Sequence, residues 1–277
     1  MKRSNIGWAD YSGGDCNFVT GCTAVSPGCE HCYARAIYER FGRNFDEVTV
    51  HPEKLERLAK TQFGTDNKRG HGSRPVVFVC DTGDLFHPDV PSDFVLQSFE
   101  VMGLRQDVDW VVLTKRPQIM RETLRLPHFC GCSPLNIWMG VTVENQAMAE
   151  QRLPILLGAW GRKAFVSVEP MLGPVDFTAV EWDGRTTMNV LEGAGVTTKG
   201  GMMGQSIPNC YCKGLDWVIV GAESGPHRRE FQVQWANDLW EQCLGAGVPM
   251  FAKQDSGLYP GVPLLLDGKH EVKEWPR

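Results

Sequence analysis

Residues 75–104 read PVVFVCDTGDLFHPDVPSDFVLQSFEVMGL. Pro75 opens a run of apolar, mostly β-branched residues, Val76 to Cys80, with no polar residue in alternation. Such a run suits a strand buried on both faces, as in a parallel sheet. A polar turn follows, DTGDLFH. Residues 92–104 then set Phe94, Val95, Phe99, Met102 and Leu104 at helical spacing, with Ser92 as the expected N-cap. Strand, polar turn and helix in that order make one βα unit.

The same order recurs along the chain. Apolar runs stand at 75–80, 110–114 (WVVLT), 137–143 (IWMGVTV), 164–168 (AFVSV), 217–222 (WVIVGA) and 248–252 (VPMFA). Helices are expected at about 30–42, 92–105, 117–125, 145–158 and 230–245, and a weak first strand near 16–20. The expected class is α/β: a complete or partial parallel (β/α) barrel of six to seven βα units, in a single domain spanning 1–277. An open doubly wound sheet is the alternative. The stretch 183–213 reads as a loop insertion between the fifth and sixth strands.

Composition narrows the partners. The formal net charge of −5 leaves no broad basic footprint for duplex nucleic acid, though a local patch is compatible with it. No run approaches eighteen apolar residues, so no membrane span is expected. MKRSNIGWADYSGGD lacks the apolar stretch of a secretory signal, which makes the cytoplasm the expected location. Ten cysteines in a reducing compartment read as metal ligands, catalytic groups or small core residues rather than disulfides. Cys80 and Cys243 fit the core.

In parallel α/β folds, ligands sit at the carboxyl ends of the strands. Each apolar run here ends in polar groups: Asp81, Thr82, Asp84 and His87; Thr114, Lys115 and Arg116; Thr142, Glu144 and Asn145; Ser167 and Glu169; Glu223 and Ser224; Lys253, Gln254 and Asp255. That recurrence is the pattern of an active-site rim and points to an enzyme. The expected first strand ends in TGCTAVSPGCEHCYAR (20–35), where Cys22, Cys29 and Cys32 form C-x6-C-x2-C. Zinc with a distant fourth ligand could use the three thiolates. A four-iron cluster would keep one iron open to chemistry. Cys130, Cys132, Cys210 and Cys212 form two C-x-C pairs ahead of the runs at 137–143 and 217–222, a possible second metal site of the closed zinc type. Packing or surface cysteines are the plainer account of them.

The triplet at the end of a first strand resembles that of the radical S-adenosylmethionine superfamily, although the usual spacing there is C-x3-C-x2-C. GCTAVSPGCEHCYA, GDLFHPDVP, LTKRP, GVTVEN, SVEPMLGP, WVIVGAESG and FAKQ together resemble a phage-associated, radical-SAM-like family of unknown function, over about residues 7–260. The resemblance implies a 4Fe-4S cluster on Cys22, Cys29 and Cys32, and S-adenosyl-L-methionine chelated at the fourth iron. Cleavage of that cofactor by one electron gives a 5′-deoxyadenosyl radical. It further implies that His31 lies near the adenine and that Asp81, Thr82, Gly83 and Asp84 receive the cofactor's amino group. Lys115 would meet its carboxylate, with Thr142 and Glu144 at the ribose hydroxyls. Ser167 is a further cofactor-binding candidate. Glu169, Glu223 and Lys253 would hold cofactor or substrate, and Lys115, Glu223 and Lys253 are the catalytic candidates. A flavodoxin or ferredoxin would donate the electron.

The phage association implies modification or rearrangement of a hypermodified thymidine in DNA, in the host cytoplasm, with a radical repair lyase as a variant. Trp8, Tyr11, Tyr33 and Trp138 could stack on a base, and Lys115, Arg116, Arg228 and Arg229 could meet phosphates. Core packing is the commoner role for such aromatics. Two rival classes stay open. One is a zinc-stabilised nucleic-acid-binding protein. The other is a barrel hydrolase or lyase using Glu144, Glu169 and Glu223 as acid–base groups.

Overall fold

A computed structural model describes residues 1, 3–129, 134–197 and 213–276. These form two compact units, Met1–Gly140 and Val141–Arg277. Cys130, Cys132, Cys210 and Cys212 lie outside the described residues.

In the first unit, β1 (Val19–Thr20) pairs antiparallel with β2 (Thr49–Val50). Helix α1 (Tyr33–Arg40) lies between them in sequence, and α2 (Pro52–Lys60) follows β2. β3 (Val76–Phe78) leads through α3 (Ser92–Leu104) to β4 (Asp109–Thr114), which runs parallel to it with Val76 opposite Asp109 and Phe78 opposite Val111. Helix α4 (Pro117–Leu124) follows. β5 (Ile137–Thr142) spans the division between the units. The second unit continues with α5 (Gln146–Ala159), β6 (Ala164–Val168), β7 (Val180–Glu181), β8 (Thr186–Asn189) and β9 (Ala194–Thr197). It ends with β10 (Trp217–Gly221), α6 (Val233–Ala246) and β11 (Met250–Gln254). β10 lies parallel between β6 and β11.

The strand order β11-β10-β6-β5-β4-β3 makes a six-stranded parallel sheet, so the α/β class expected from the sequence holds. Its strand count is that of a partial barrel rather than the eight of a closed one. Every residue of β3, β5, β6 and β10 is buried, which is why these strands read as unbroken apolar runs. Trp110 and Trp217 anchor the interiors of their units; burying such a side chain stabilises by roughly 2–3 kcal/mol.

Helix ends follow local chemistry. Pro52 and Pro117 occupy first helical positions, where a missing N–H costs nothing. Asn145 caps α5 by accepting from the Met148 amide at 3.1 Å. Gly247, at φ +67°, ends α6 in the left-handed turn that glycine favours.

Several expectations need correction. The run at 16–20 is not a strand of the parallel sheet. Cys16 closes a 3-10 turn, and only Val19 and Thr20 are extended, in the ribbon with β2. Ser92 is the first residue of α3 rather than its cap, and Leu104 is exposed. The described part of 183–213 is not wholly irregular: β8 and β9 make an antiparallel hairpin against β7. Helix α2 was missed. Its nine residues bury only Leu55 and Leu58, too short a pattern to register against a polar background.

Candidate functional site

The thiol loop is fixed at backbone level before any side chain acts. The Gly21 amide donates to Thr82 O at 2.9 Å, and the Cys22 amide to Phe45 O at 2.8 Å. Gly21 sits at φ +84°, and a Cβ there would lie 2.1 Å from Glu47 O. On the facing loop, a Cβ on Gly83 would lie 2.7 Å from Val19 O. Two glycines thus let segments 19–22 and 80–84 cross at main-chain distance. Cys29 closes a 3-10 turn opened by Pro27, and Cys32 is the N-cap of α1. All three thiols are half-buried.

The carboxyl end of β4 supplies cations to two of these thiols. Lys115 Nζ donates to Gly28 O at 3.2 Å and lies 3.9 Å from Cys29 Sγ. Arg116, the next residue, turns inward. Its Nη1 reaches Cys22 Sγ at 3.3 Å and Asp84 Oδ2 at 3.2 Å, while Nη2 donates to Thr23 O and Oγ1 at 2.8 and 2.9 Å. Asp84 is buried and saturated. It accepts from the Thr114 hydroxyl, the Lys115 and Phe86 amides, and Arg116. His87 Nδ1 accepts from the Asp89 amide at 3.2 Å, so its Nε2–H donates to Thr23 Oγ1 at 2.9 Å. Burial first, then Arg116, holds this imidazole below its usual pKa and hence neutral.

The thiols are electrostatically unequal. Burial and then Asp84 push Cys22 up to about 11, against the pull of Arg116. Burial also pushes Cys29 up. The Lys115 ammonium and the Val25 and Ser26 amides outweigh that, leaving Cys29 below the ordinary thiol value.

Asp81 is half-buried and accepts from Asn17 Nδ2 at 2.6 Å; burial raises its pKa. Thr82 and Gly83 serve through the backbone crossing described above. His31 is exposed and stands 4.0 Å from Glu30. Tyr33 is 55% exposed, and its hydroxyl donates to Asp81 O. The other aromatics considered for base stacking, Trp8, Tyr11 and Trp138, are core residues, each at 5% exposure or less.

In the second unit, Glu144 is wholly buried against Arg152, which also donates to Thr142 O at 2.6 Å. Thr142 and Ser167 are buried too. Glu169 pairs with Lys253 at 3.1 Å and accepts from Ser167 Oγ at 3.3 Å. A Cβ on Gly221 would meet Glu169 Oε1 at 2.6 Å, so the carboxylate lies directly against this glycine. Glu223 takes the Arg229 amide and Nε at 2.8 and 3.1 Å. Arg228 donates to Gly225 O.

Arg116, Thr23 and His87 were undervalued in the sequence. Arg116 is the N-cap residue of α4, directly after Lys115.

Three cysteine thiols in one loop, two with cations at their sulfurs, form a donor set suited to an iron–sulfur cluster. A single ion needs its ligands to converge on one point. Among the described residues no three cysteine, histidine or carboxylate groups do so. A cube takes each thiolate on a separate iron, so its ligands can stand apart.

Among solved structures, the chain is similar to three of spore photoproduct lyase. One carries bound AdoMet and dinucleoside spore photoproduct, at 15% identity and TM-score 0.42, covering 58% of this chain and 46% of that one. A second, complexed with dinucleoside spore photoproduct, aligns at 10% identity and TM-score 0.46 over 91% of this chain and 76% of that one. A variant of the lyase aligns at 12% identity and TM-score 0.43 with the same coverage. The chain thus spans about half the length of the first of these. No curated protein matches. Residues 3–263 match the family described as "Protein of unknown function (DUF5131)", and the chain belongs to that family.

Proposed function

We propose that this protein is a radical S-adenosylmethionine enzyme acting on a nucleobase or nucleotide, with Cys22, Cys29 and Cys32 as ligands of its 4Fe-4S cluster. One observation carries the reading: the thiol loop meets Lys115 and Arg116, which place an ammonium by Cys29 and a guanidinium by Cys22. Cations stabilise thiolate ligands, and a loop with only three of them leaves one iron for a small molecule. When bound, the cluster and S-adenosylmethionine supply a 5′-deoxyadenosyl radical.

The chain's own residues divide the remaining work. Asp84 is spent on Thr114 and Arg116, so Asp81 is the better partner for the cofactor's amino group. Lys115 suits its carboxylate. The exposed ring of Tyr33, one residue past Cys32, suits stacking on adenine or on a base. Glu169 with Lys253, and Glu223 with Arg229, stand as charged pairs at the carboxyl ends of β6 and β10. For the substrate, the family resemblance supports modification or rearrangement of a thymidine in phage DNA. A repair lyase is the second form. Either would work in the host cytoplasm with a flavodoxin or ferredoxin as reductant. No helix among the described residues is long and apolar enough to cross a membrane.

The test is anaerobic reconstitution with iron and sulfide, followed by low-temperature EPR of the reduced protein with and without S-adenosylmethionine. The expected result is a brown protein whose signal changes with the cofactor and which forms 5′-deoxyadenosine. Cys29→Ala should abolish both. A colourless protein that holds zinc at the triplet would overturn the reading. Mass spectrometry of nucleosides from treated phage DNA then reads the substrate.

A further inference from the structure

We infer that Arg116 is a positioning residue that raises the reduction potential of the cluster through a charge-assisted N–H···S bond to Cys22. This rests on the cluster reading above. Arg116 is 6% exposed, and both terminal nitrogens of its guanidinium are engaged: Nη1 with Cys22 Sγ at 3.3 Å and Asp84 Oδ2 at 3.2 Å, Nη2 with Thr23 O at 2.8 Å and Thr23 Oγ1 at 2.9 Å. Its orientation is held from behind. Asp84 is itself fixed by the Thr114 hydroxyl and the Lys115 amide, and Thr23 Oγ1 also takes the His87 Nε2–H. An arginine needed only to pin the loop would be satisfied by the Thr23 carbonyl and Asp84. Here one nitrogen is shared with the sulfur.

Adding one electron to a cluster adds one negative charge over its sulfurs. A buried cation at hydrogen-bond distance from a ligand sulfur stabilises the reduced form more than the oxidised form, and hydrogen bonds to the sulfurs are a known lever on potential. Low solvent access strengthens the effect. Lys115 acts the same way on Cys29 more weakly, at 3.9 Å and with a mobile ammonium.

The experiment is a redox titration of the reconstituted holoprotein, with dithionite as the one-electron donor and EPR as the readout. Wild type, Arg116→Met and Arg116→Lys are compared at measured iron and sulfide content. The expected result for Arg116→Met is about a tenfold lower ratio of reduced to oxidised cluster at a fixed potential, or 59 mV for one electron. Lysine cannot reach Cys22, Asp84 and Thr23 together, so Arg116→Lys should fall between. An unchanged midpoint in a fully loaded Arg116→Met protein overturns this inference and leaves the cluster reading standing. If Arg116→Met takes up no iron, the lysine variant decides: a lowered midpoint supports the tuning role, and a wild-type midpoint overturns it. A wild-type protein that takes up no cluster overturns both readings.

Discussion

Asp81 gives the residue scale a test by pH. Burial raises its pKa above 3.8, so the folded state binds its proton more tightly than the unfolded chain does. Stability from this group is therefore largest in acid and falls as pH rises through the raised pKa. Asp81→Asn removes the charge and keeps an oxygen for Asn17. Melting temperatures of the apo-protein should rise in the variant at neutral pH, and the difference should shrink towards pH 4. An equal difference at both pH values would argue against it. Gly21 is the other decisive residue, because its φ of +84° and the 2.1 Å approach to Glu47 O leave no room for a methyl group. Gly21→Ala should cost at least about 2–3 kcal/mol and reduce the iron bound on reconstitution, measured by urea unfolding and metal analysis. The spacing of Cys22, Cys29 and Cys32 was enough to mark them as candidate ligands, and the structure sets the three half-buried in one loop. The work of Arg116 was not legible, because an Arg beside a Lys reads as surface charge until the fold shows it turned inward.

At the scale of elements, strands and long helices were legible because burial on both faces writes a continuous apolar run. β4, β5, β6 and β10 fall within about a residue of the runs at 110–114, 137–143, 164–168 and 217–222. β11 lies two residues later than expected, since Val248 and Pro249 belong to the turn after α6. What pattern reading lost was short or antiparallel. α2 buries two leucines, β1 and β2 have two residues each, and the β7–β8–β9 sheet is set by pairing between segments that carry no long apolar run. Caps are more local and more readable. Asn145→Ala should cost about 1 kcal/mol by orphaning the Met148 amide, seen as a lower urea midpoint with an unchanged slope. Asn145→Ser should recover most of the loss.

At the scale of the molecule, each unit has its own core, and the chain after β11 completes the second. Leu264, Leu266 and Val272 are buried in it. Trp217 Nε1 donates to Glu274 O at 2.9 Å, and the Met250 amide donates to the Glu274 carboxylate. A protein ended after Val262 should lose these contacts and expose the rings of Trp217 and Phe251. It should bind a hydrophobic dye and melt several degrees lower in its second unit, read by calorimetry and by tryptophan emission. An unchanged melt would show the tail to be dispensable.

Lys115 and Arg116 are neighbours, yet they serve different cysteines. A slip of β4 by a single residue would take both cations from both sulfurs together. On the proposed cluster reading, the midpoint potential then works as an audit of sheet assembly: molecules whose fourth strand is out of register would hold a cluster with neither cation beside it and would titrate at a lower potential. The spread of midpoints across a variant library would rank variants by correct folding before any substrate is in hand.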